Sequence, residues 1–356
     1  MGVNSSCDGG MHTAGSREMV PKRWLITGGC GFIGTSLIKN LGAENCHLIR
    51  IVDNLSVGTR EDLSRVCDFV EVDPDTIGFS SKAPNTETYR LGQCELVVAD
   101  ILDEELARKV AQDVDVIVHL AANTGVEPSV KDPRSDCMIN VIGTLNYLMA
   151  ARHNNIPRFV FASSGAPIGE CEPPIHEELA PHPVSPYGAS KLAGEAYCSA
   201  YFHSFEIETV ALRFGNVYGP GSDHKNSVVA KHIRQSLHGE IMEIYGDGKQ
   251  TRDFIYIDDL VQAIRLAASV EGIGGETFQI ATNAETTVVE VVEMLLPILT
   301  AAGINDLRVR HAGPRKGDVR RNFSDTSKVW ERLGWRAEVD LSNGLERTVD
   351  AFIKRA

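Results

Sequence analysis

The stretch Arg23-Trp24-Leu25-Ile26-Thr27-Gly28-Gly29-Cys30-Gly31-Phe32-Ile33-Gly34 decides the fold. Its first five residues predict a short buried strand, and its glycines predict a tight turn. An apolar helix is expected to follow as far as about Leu41, and a second apolar strand, residues 47–52, ends at Asp53. A strand, a glycine turn, a helix and a second strand in this order are typical of one half of a doubly wound α/β fold.

The glycines of this turn have a physical use if the turn holds a dinucleotide. They allow the tight turn, the approach of the backbone to a pyrophosphate, and the close packing of helix on strand. The pyrophosphate would sit at the helix N-terminus, where free N–H groups and the helix dipole favour anions. Asp53 falls 19 residues after Gly34 (53 − 34), where an acid can bind the adenosine ribose and repel a 2′-phosphate. The pattern predicts an NAD site; the alternative is a glycine-rich turn in another kind of α/β protein.

Strands and helices continue to alternate after Asp53. Strands are predicted at residues 95–99, 114–122 and 158–162, and helices at 104–112 and 135–153. This alternation predicts a parallel sheet covered by helices, with ligands at the carboxyl ends of the strands. Small residues where strand 114–122 ends would let a flat ring lie against the backbone. His119, in the same strand, is interpreted as a core or strand-end histidine rather than a ligand.

The chain is expected to divide into a Rossmann-type doubly wound domain and a smaller substrate-binding α/β domain. Residues 1–22 are polar and Gly/Ser-rich and predict a flexible tail. Residues 23–212 are assigned to the NAD-binding domain, and residues 213–356 mainly to the substrate-binding domain, partly interleaved with the first.

Residues 65–93 are rich in turn formers, and so long a loop is uncommon in a compact domain. They are interpreted as a floppy insertion, the alternative being a lid near the adenine end.

Composition limits the function further. The 356 residues are 43% hydrophobic and carry a net charge of −13, which argues against nucleic-acid binding. No apolar run approaches the roughly 20 residues that cross a bilayer, and the N-terminal segment lacks the apolar core of a signal peptide. The eight cysteines contain no C-x-x-C pair, so zinc spacing is absent and no metal site is predicted. Reduced thiols in the cytoplasm are expected.

A second stretch, Ser185-Pro186-Tyr187-Gly188-Ala189-Ser190-Lys191, is predicted to carry the chemistry. Ser185 is a good N-cap and Pro186 suits the first helical position, so a helix is expected to start here. Tyr187 and Lys191 are four apart and share a face of that helix. An ammonium beside a phenol favours the phenolate and lowers its pKa, so the pair is a candidate proton-transfer device. The alternative is an ordinary Tyr/Lys pair on a surface helix.

Ser163 and Ser164 follow the strand 158–162. A hydroxyl at a strand end and a tyrosine at a helix start can converge over one crevice. In that arrangement the serine hydrogen-bonds the reacting oxygen, Tyr187 moves its proton, and Lys191 lowers the tyrosine pKa and holds the nicotinamide ribose. Ordinary capping of the strand end is the alternative role for the two serines.

The chain resembles the extended short-chain dehydrogenases/reductases, specifically the nucleotide-sugar epimerase/dehydratase group typified by UDP-glucose 4-epimerase. The resemblance runs from about Arg23 to the C-terminus, with its motifs in order. It implies NAD as cofactor and a Ser164, Tyr187 and Lys191 catalytic triad. The implied cofactor-binding residues are Gly28, Gly31, Phe32, Ile33, Gly34, Asp53, Asn54, Asp100, Ile101, Leu120, Ala121, Ala122, the structural Asn140, Tyr187 and Lys191.

The resemblance also implies a nucleotide-diphosphate sugar as substrate, most simply a UDP-sugar. Asn216 and Ser164 are implied to bind it, with Arg252 on the diphosphate and with Arg315 and Asp318 on phosphate and nucleoside ribose. An acidic protein that binds a diphosphate needs a local cationic clamp, and guanidinium suits phosphate. For either arginine alone, a surface salt bridge is the alternative. A homodimer joined through helices 135–153 and 187–204 is implied in the same way.

The resemblance leaves several reactions open. The 4,6-dehydratases of the group place an Asp-Glu pair directly after the catalytic hydroxyl, and this chain has Gly165-Ala166 there, which favours a 4-epimerase. Ile168 stands where a tyrosine is usual, a departure that leaves a decarboxylase or an unusual dehydratase open. A plain reductase is a further rival, and so is a non-catalytic NAD-binding sensor. The sensor would be expected to have lost Tyr187 or Lys191.

Overall fold

The computed structural model describes residues 19–42, 46–77, 93–314 and 319–355. The strands in this part of the chain are β1 (Arg23–Thr27), β2 (Leu48–Asp53), β3 (Phe69–Glu71), β4 (Gln93–Val98), β5 (Val116–His119), β6 (Arg158–Ser164), β7 (Glu208–Phe214), β8 (Asn216–Tyr218), β9 (Met242–Tyr245), β10 (Thr251–Arg252), β11 (Phe254–Tyr256), β12 (Glu276–Ile280), β13 (Thr286–Thr287) and β14 (Val309–Ala312).

The α-helices in the same residues are α1 (Phe32–Leu41), α2 (Arg60–Ser64), α3 (Glu104–Val110), α4 (Val126–Lys131), α5 (Pro133–Cys137), α6 (Gly143–His153), α7 (Pro186–Phe205), α8 (Val228–Leu237), α9 (Ile257–Ser269), α10 (Val288–Ala301), α11 (Ser327–Leu333) and α12 (Leu341–Arg355). A 3₁₀ turn spans Pro74–Thr76, and a π-helical turn, Met138–Ile142, joins α5 to α6. The helix predicted at 135–153 is therefore two helices with a π turn between them. None of the described helices is long and apolar enough to span a membrane.

Eight strands form one parallel sheet in the order β12-β7-β6-β5-β1-β2-β4-β3. The chain starts in the middle at β1, builds outward through β2 to β3, and then returns to build the other half from β5. The order reverses between β1 and β5, and doubly wound sheets bind their ligands at such a point, outside the carboxyl ends of the strands. The predicted fold class is confirmed.

Helices cover both faces of this sheet. Along β1 the side chains alternate: Trp24 and Ile26 join the core cluster that includes α1 and α9, and Leu25 joins the cluster that includes α3, α6 and α7. Strands buried on both faces need apolar residues at nearly every position. β1 and β2 follow this rule except at their ends and at Arg50, which is buried within β2 and donates a 2.9 Å hydrogen bond to Glu95 on β4. Packing against these two cores fixes where each strand ends, and so it fixes the position of the residues that follow.

Helix α7 begins where the sequence predicts. The Ser185 hydroxyl accepts a 3.1 Å hydrogen bond from the amide of Gly188, and Pro186 occupies the first turn. The helix ends at Glu206, which has a left-handed φ of 58°. This capping places Tyr187 in the first turn of the helix, at the carboxyl edge of the sheet.

The later half of the chain adds smaller sheets beside the large one. β8 pairs with β11 and β9 pairs with β14, both parallel, and β10 pairs antiparallel with β13. β12 returns to the large sheet and pairs with β7. The domain limits 23–212 and 213–356 stay a prediction.

Part of the predicted insertion is regular structure. Phe69–Glu71 is the edge strand of the large sheet, with Phe69 opposite Cys94. The expectation of a loop is wrong for these residues, because a three-residue strand among turn formers leaves little pattern to read. Residues 78–92 lie outside the described residues, as do residues 1–18 of the predicted tail.

Candidate active site

The glycine turn packs against the residues that follow β5. Gly28 has a φ of +70°, and a Cβ atom on it would lie 2.8 Å from the amide nitrogen of Ala121. A Cβ atom on Gly34 would lie 2.5 Å from the carbonyl oxygen of Gly28. Both distances are too short for real side chains, so the close packing of turn, helix and strand requires glycine at these positions.

Helix α1 begins immediately after the turn. Gly31 is its N-cap, and Phe32 and Ile33 are its first residues. The Gly31 carbonyl accepts the first helical hydrogen bond, 2.9 Å from the amide of Thr35. The amides of the first turn have no acceptor inside the helix and form the positive end of its dipole. This helix end suits an anion such as a pyrophosphate.

Asp53 braces the turn from the end of β2. Its side chain is buried, and its two carboxylate oxygens accept hydrogen bonds from the amides of Cys30 and Leu55, each over 2.9 Å. Burial raises the pKa of Asp53, and the two amide hydrogen bonds oppose that rise. The acid predicted to bind the ribose therefore also fixes the shape of the turn.

Gly58 is a close neighbour of the turn that sequence reasoning missed. A Cβ atom on it would lie 2.3 Å from the carbonyl carbon of Cys30. The loop after β2 thus folds over the turn, which the glycine five residues after Asp53 (58 − 53) could have indicated.

In the same loop the side-chain amide of Asn54 donates a 3.2 Å hydrogen bond to Asp100, which follows β4. These two predicted cofactor residues therefore meet.

The remaining predicted cofactor residues have different surroundings. Ile101 is buried, and a Cβ on Gly143 would lie 2.5 Å from its side chain. The amides of Leu120 and Ala121 donate to the carbonyl oxygen and hydroxyl of Thr27, over 3.1 and 3.2 Å. These bonds hold the strand exit against the end of β1.

His119 is a core histidine, as predicted. It is fully buried, with Nδ1 2.9 Å from the Thr27 hydroxyl and Nε2 3.2 Å from the Thr144 hydroxyl. Its ring lies against those of Tyr147 and Phe159. Burial, and next the charge of nearby Lys191, lowers the pKa of His119 to about 3. The imidazole is therefore neutral at physiological pH.

These residues fit NAD. Gly28 and Phe32 supply bare backbone and a helix N-terminus, Asp53 supplies an acid, and Ala121 and Ala122 supply small side chains. They follow β1, β2 and β5, on the two sides of the point where strand order reverses. The excluded Cβ atom at Gly28 is the observation that carries this fit, because a turn packed this tightly presents backbone rather than side chains to a ligand.

The predicted catalytic hydroxyls meet at the carboxyl end of β6. The side chains of Ser164 and Tyr187 are neighbours, close enough for the serine to influence the pKa of the phenol, and the Ser164 hydroxyl accepts a 3.2 Å hydrogen bond from the amide of Ala166. Tyr187 is half-buried. Burial raises its pKa to about 12, with the Ser164 hydroxyl opposing the rise and Asp136 adding to it. The prediction that Lys191 lowers this pKa is wrong for the protein by itself, because burial is the larger effect.

Lys191 lies beneath the two hydroxyl residues. It is 3% exposed, and its ammonium donates a 2.8 Å hydrogen bond to the carbonyl oxygen of Ala162. The ammonium also lies 4.9 Å from the centroid of the Phe161 ring. Burial lowers the pKa of Lys191 to about 8, while Asp136 and Glu195 oppose this. The lysine is still mostly charged at neutral pH.

Asn140 is a buried residue that connects several elements by hydrogen bonds. It lies in the π turn, is 1% exposed, and exchanges hydrogen bonds with the backbone of Asn123 over 2.8 and 3.0 Å. Its amide also contacts Asp136 at 3.0 Å and Ser190 at 3.1 Å. It therefore ties the loop after β5 to α5 and α7. Sequence reasoning did not identify Asp136 or Ser190.

Two predicted substrate residues line a cavity of about 620 Å³ beside α8. Asn216 starts β8, and Arg252 ends β10 and donates to the carbonyl oxygens of Thr251 and Val319 over 2.7 and 2.8 Å. Arg315 and Asp318 lie outside the described residues. Sequence reasoning missed Lys231 and Tyr245, which also line the cavity. Their ammonium and hydroxyl groups lie 3.2 Å apart.

The cavity and the triad come close to each other along the chain at the ends of β6 and β7. Ser164, Tyr187 and Lys191 do not line the cavity. However, Ser164 is paired in register with Phe214, the last residue of β7, and Asn216 follows two residues later. Asn216, which lines the cavity, therefore follows closely on the strand end that pairs with Ser164.

The two departures from the family pattern have different structural meanings. A Cβ atom on Gly165 would meet no described atom within 4 Å, and its φ lies outside the left-handed region, so neither packing nor backbone strain requires glycine there. Ile168 is 1% exposed and belongs to the buried part of the segment. The absence of a tyrosine at 168 is thus a change in packing, whereas position 165 leaves open space beside Ser164.

Comparison with known proteins agrees with this geometry. The sequence profile of the NAD dependent epimerase/dehydratase family matches residues 24–281. The chain is 35% identical to UDP-glucose 4-epimerase of Mycolicibacterium smegmatis, over 93% of this chain and 98% of that protein. It is 30% identical to dTDP-glucose 4,6-dehydratase of an Actinoplanes species, over 91% and 96%. A solved structure of UDP-glucose 4-epimerase with UDP-glucose, from Thermotoga maritima, superposes with a TM-score of 0.80 and 33% identity, over 94% of this chain and 99% of that one.

The matched profile covers most of the chain, and the relatives are matched over nearly their whole length. The prediction of NAD as cofactor is confirmed, and so is the prediction of an enzyme that transforms nucleotide sugars. Relatives with epimerase and dehydratase names both occur, so the finer reaction is a separate question. A doubly wound sheet with a glycine turn, a Ser164–Tyr187 contact and a buried Lys191 agrees with the profile throughout, and the chain belongs to the NAD-dependent epimerase/dehydratase family.

Proposed function

We propose that this protein is an NAD-dependent nucleotide-sugar 4-epimerase that acts on a UDP-sugar through a transient 4-keto sugar. The observation that carries the proposal is the meeting of Ser164 and Tyr187 beside a position, Gly165, that offers no acid. A hydroxyl pair can move the proton of a sugar 4-hydroxyl. Elimination of water would need a further acid or base next to the same carbon skeleton.

Each residue has a role in this reaction. Bound NAD would supply a reversible acceptor for the C4 hydride and a positively charged ring that favours the Tyr187 phenolate. Tyr187 then takes the proton of the 4-hydroxyl, and Ser164 hydrogen-bonds the same oxygen. Lys191 adds its positive charge from below the pair and holds the nicotinamide ribose. If the 4-keto sugar turns about its diphosphate, the opposite face of C4 meets the cofactor, and Tyr187 gives the proton back to the oxygen as the epimer forms.

The residues around the cofactor hold it for this cycle. The backbone of Gly28 to Gly34 takes the pyrophosphate, and Asp53 takes the adenosine ribose. Asn54 and Asp100 form the edge near the adenine, and the small residues Ala121 and Ala122 leave room for the nicotinamide half. Because the reaction leaves NAD in its starting oxidation state, NAD that stays bound serves every turnover.

The substrate diphosphate is assigned to Arg252, with Asn216 beside it in the same cavity. Guanidinium and phosphate match in geometry, and the two carbonyl oxygens of Thr251 and Val319 fix the direction of the arginine. Arg315 and Asp318 complete this proposal from the segment after β14. The relatives named as UDP-glucose 4-epimerases support UDP as the nucleotide.

The second candidate is a dehydratase or decarboxylase that uses the same triad. The similarity to a 4,6-dehydratase supports a dehydratase. Gly165 and Ala166 weigh against it, because neither can act as an acid or a base.

A homodimer is part of the same proposal. Large apolar side chains lie exposed on α4, the π turn and α7, at Val126, Val130, Met138, Tyr197 and Phe205, with 38–60% of each exposed. Covering such a face with a second copy removes apolar surface from water. Light scattering coupled to size-exclusion chromatography checks this, since a monomer at micromolar concentration would contradict it.

The first experiment incubates the purified protein, without added cofactor, with UDP-glucose, UDP-N-acetylglucosamine and UDP-glucuronate separately. Products are identified by NMR and mass spectrometry. A changed C4 configuration at constant mass supports the epimerase and identifies the sugar. Loss of water or carbon dioxide would instead favour the second candidate, and conversion by Tyr187→Phe at the wild-type rate would overturn both.

A further inference from the structure

Glu195 is a buried carboxylate that the proposed reaction does not use. It lies one turn after Lys191 on α7 and is 7% exposed. Its Oε1 accepts hydrogen bonds from the Ser163 hydroxyl at 2.5 Å and from Nε of Arg213 at 2.8 Å. Its Oε2 accepts a second bond from Arg213 at 2.7 Å. This is a bidentate, buried ion pair with a hydroxyl attached to it.

The three partners of this cluster come from three elements that carry the site. Ser163 directly precedes Ser164 at the end of β6, and Arg213 directly precedes Phe214 at the end of β7. Glu195 is on the helix that carries Tyr187 and Lys191. The cluster therefore joins the two strand ends to the helix that carries Tyr187 and Lys191.

Glu195 also belongs to the electrostatic surroundings of Lys191. The charged and titratable groups around this ammonium are Asp136 on α5, Tyr187, Glu195 and Cys198 on α7, and His119 on β5, with the Phe161 ring of β6 beside it. Asp136 and Glu195 are the two carboxylates among them. Arg213 belongs to a different element, β7, and is bound to Glu195.

We propose that Glu195 is a positioning residue for the active site, which holds the end of β6 through Ser163 and keeps the Lys191 ammonium charged and in place. The proposal rests on the proposed function for the role of Lys191. Glu195 does not touch the reacting atoms. Its effect passes through Ser163 to the neighbouring Ser164, and through charge to Lys191.

The ion pair allows this role to be separated from plain support of the fold. Glu195→Gln and Arg213→Met both break the same pair, so a merely structural pair predicts similar losses from both. Their electrostatic effects on Lys191 differ in sign. Removing the carboxylate lowers the pKa of Lys191, whereas removing the guanidinium leaves that pKa unchanged or raises it.

The test measures the titration of Lys191 in the full-length protein without added substrate. Lysine side chains are labelled with ¹³C at the ε position, and the Lys191 resonance is identified by its absence in Lys191→Met. The variants are Glu195→Gln, Arg213→Met and the double variant. The double variant leaves no unpaired buried charge and so keeps the test valid if Glu195→Gln alone fails to fold.

The expected result is a Lys191 pKa lowered by about one unit in Glu195→Gln, lowered by the same amount or less in the double variant, and not lowered in Arg213→Met. The alkaline limb of the turnover profile, measured on the UDP-sugar that the wild type converts, should move to lower pH in the same two variants. Equal shifts in all three variants, or none in any of them, would overturn the proposal. If no UDP-sugar is converted, the proposed function fails, and the NMR titration still decides the role of Glu195.

Discussion

The ammonium group of Lys191 lies 2.8 Å from the carbonyl oxygen of Ala162, two residues before Ser164 on β6. Helix α7 is thereby tied to the strand that carries the catalytic serine. The lysine is held by backbone rather than by the phenol of Tyr187. Burial is the largest effect on the tyrosine, whose pKa is raised to about 12.

Tyr187→Phe should lower turnover by about 100-fold or more, because it removes the group that exchanges the proton with the substrate. The ring stays in place, so the unfolding temperature should remain close to that of the wild type. Steady-state assays on the UDP-sugar identified for the wild type, with a thermal melt of the same sample, check both expectations.

Tyr197→Phe is the matched control for that variant. Tyr197 lies on the same helix and is 38% exposed. The substitution removes an identical hydroxyl from a position away from Ser164, so near-wild-type turnover is expected. An equal loss in the two variants would assign the effect to the helix rather than to the reaction.

Gly34→Ala should weaken NAD binding. Its Cβ atom would lie 2.5 Å from both the Gly28 carbonyl oxygen and the Gly29 Cα atom, so the turn must shift. A shift of this kind costs about 1–3 kcal/mol, or a roughly 5- to 150-fold weaker complex if the cost falls on binding. Gly42→Ala, at the other end of α1, is the control, since its nearest contact would be an ordinary 3.4 Å. The NAD affinities of the two variants are measured by calorimetric titration, after bound nucleotide has been removed from the protein. Equal affinities would contradict the role of the glycine turn in NAD binding.

Asp53→Asn should reduce the preference for NAD over NADP. An amide cannot accept from both the Cys30 and Leu55 amides as the carboxylate does, and it no longer repels a 2′-phosphate. NAD affinity is expected to fall about tenfold, while NADP affinity falls less or rises. Titrations with the two dinucleotides under identical conditions give the ratio. An unchanged ratio would mean that the charge of Asp53 does not face the ribose.

Much of the fold could be predicted because its strands are buried on both faces. The mostly apolar sequences of β1 and β2, in which Arg50 is the one charged residue inside a strand, leave a strong signal, and the glycine turn between β1 and α1 adds a geometric one. The edge strand Phe69–Glu71 was missed because it is three residues long and its last two residues are exposed.

The site could be predicted at positions where the local structure requires a particular type of residue. Gly28 and Gly34 have no room for a side chain, and Ser185 caps α7 as its type and position predict. The Glu195–Arg213 pair could not be predicted, because charged residues on a helix and a strand are usually solvated. The direction of the Tyr187 pKa shift depends on burial, which the four-residue spacing to Lys191 does not report.

His119 should make the protein less stable as the pH falls below neutral. Its pKa is about 3 in the folded protein, against about 6.5 in the unfolded chain, so the unfolded state binds a proton that the folded state does not. The neutral histidine costs no stability above about pH 6.5, and stability is lost as the pH falls from there toward 3. Between about pH 7.5 and about pH 5.5 this single group should reduce the free energy of unfolding by about 1.4 kcal/mol.

His119→Phe isolates this contribution. The ring can pack among Tyr147 and Phe159, and the Thr27 and Thr144 hydroxyls keep their other hydrogen bonds, with the Ala121 amide and the Asn140 carbonyl. The variant's stability at neutral pH can differ from that of the wild type without affecting the test, because the quantity compared is the change with pH. Urea unfolding at the two pH values should show a smaller loss in the variant by about 1.4 kcal/mol. Equal losses in the two proteins would mean that the folded protein protonates His119, and that its bonds to Thr27 and Thr144 do not hold the ring neutral.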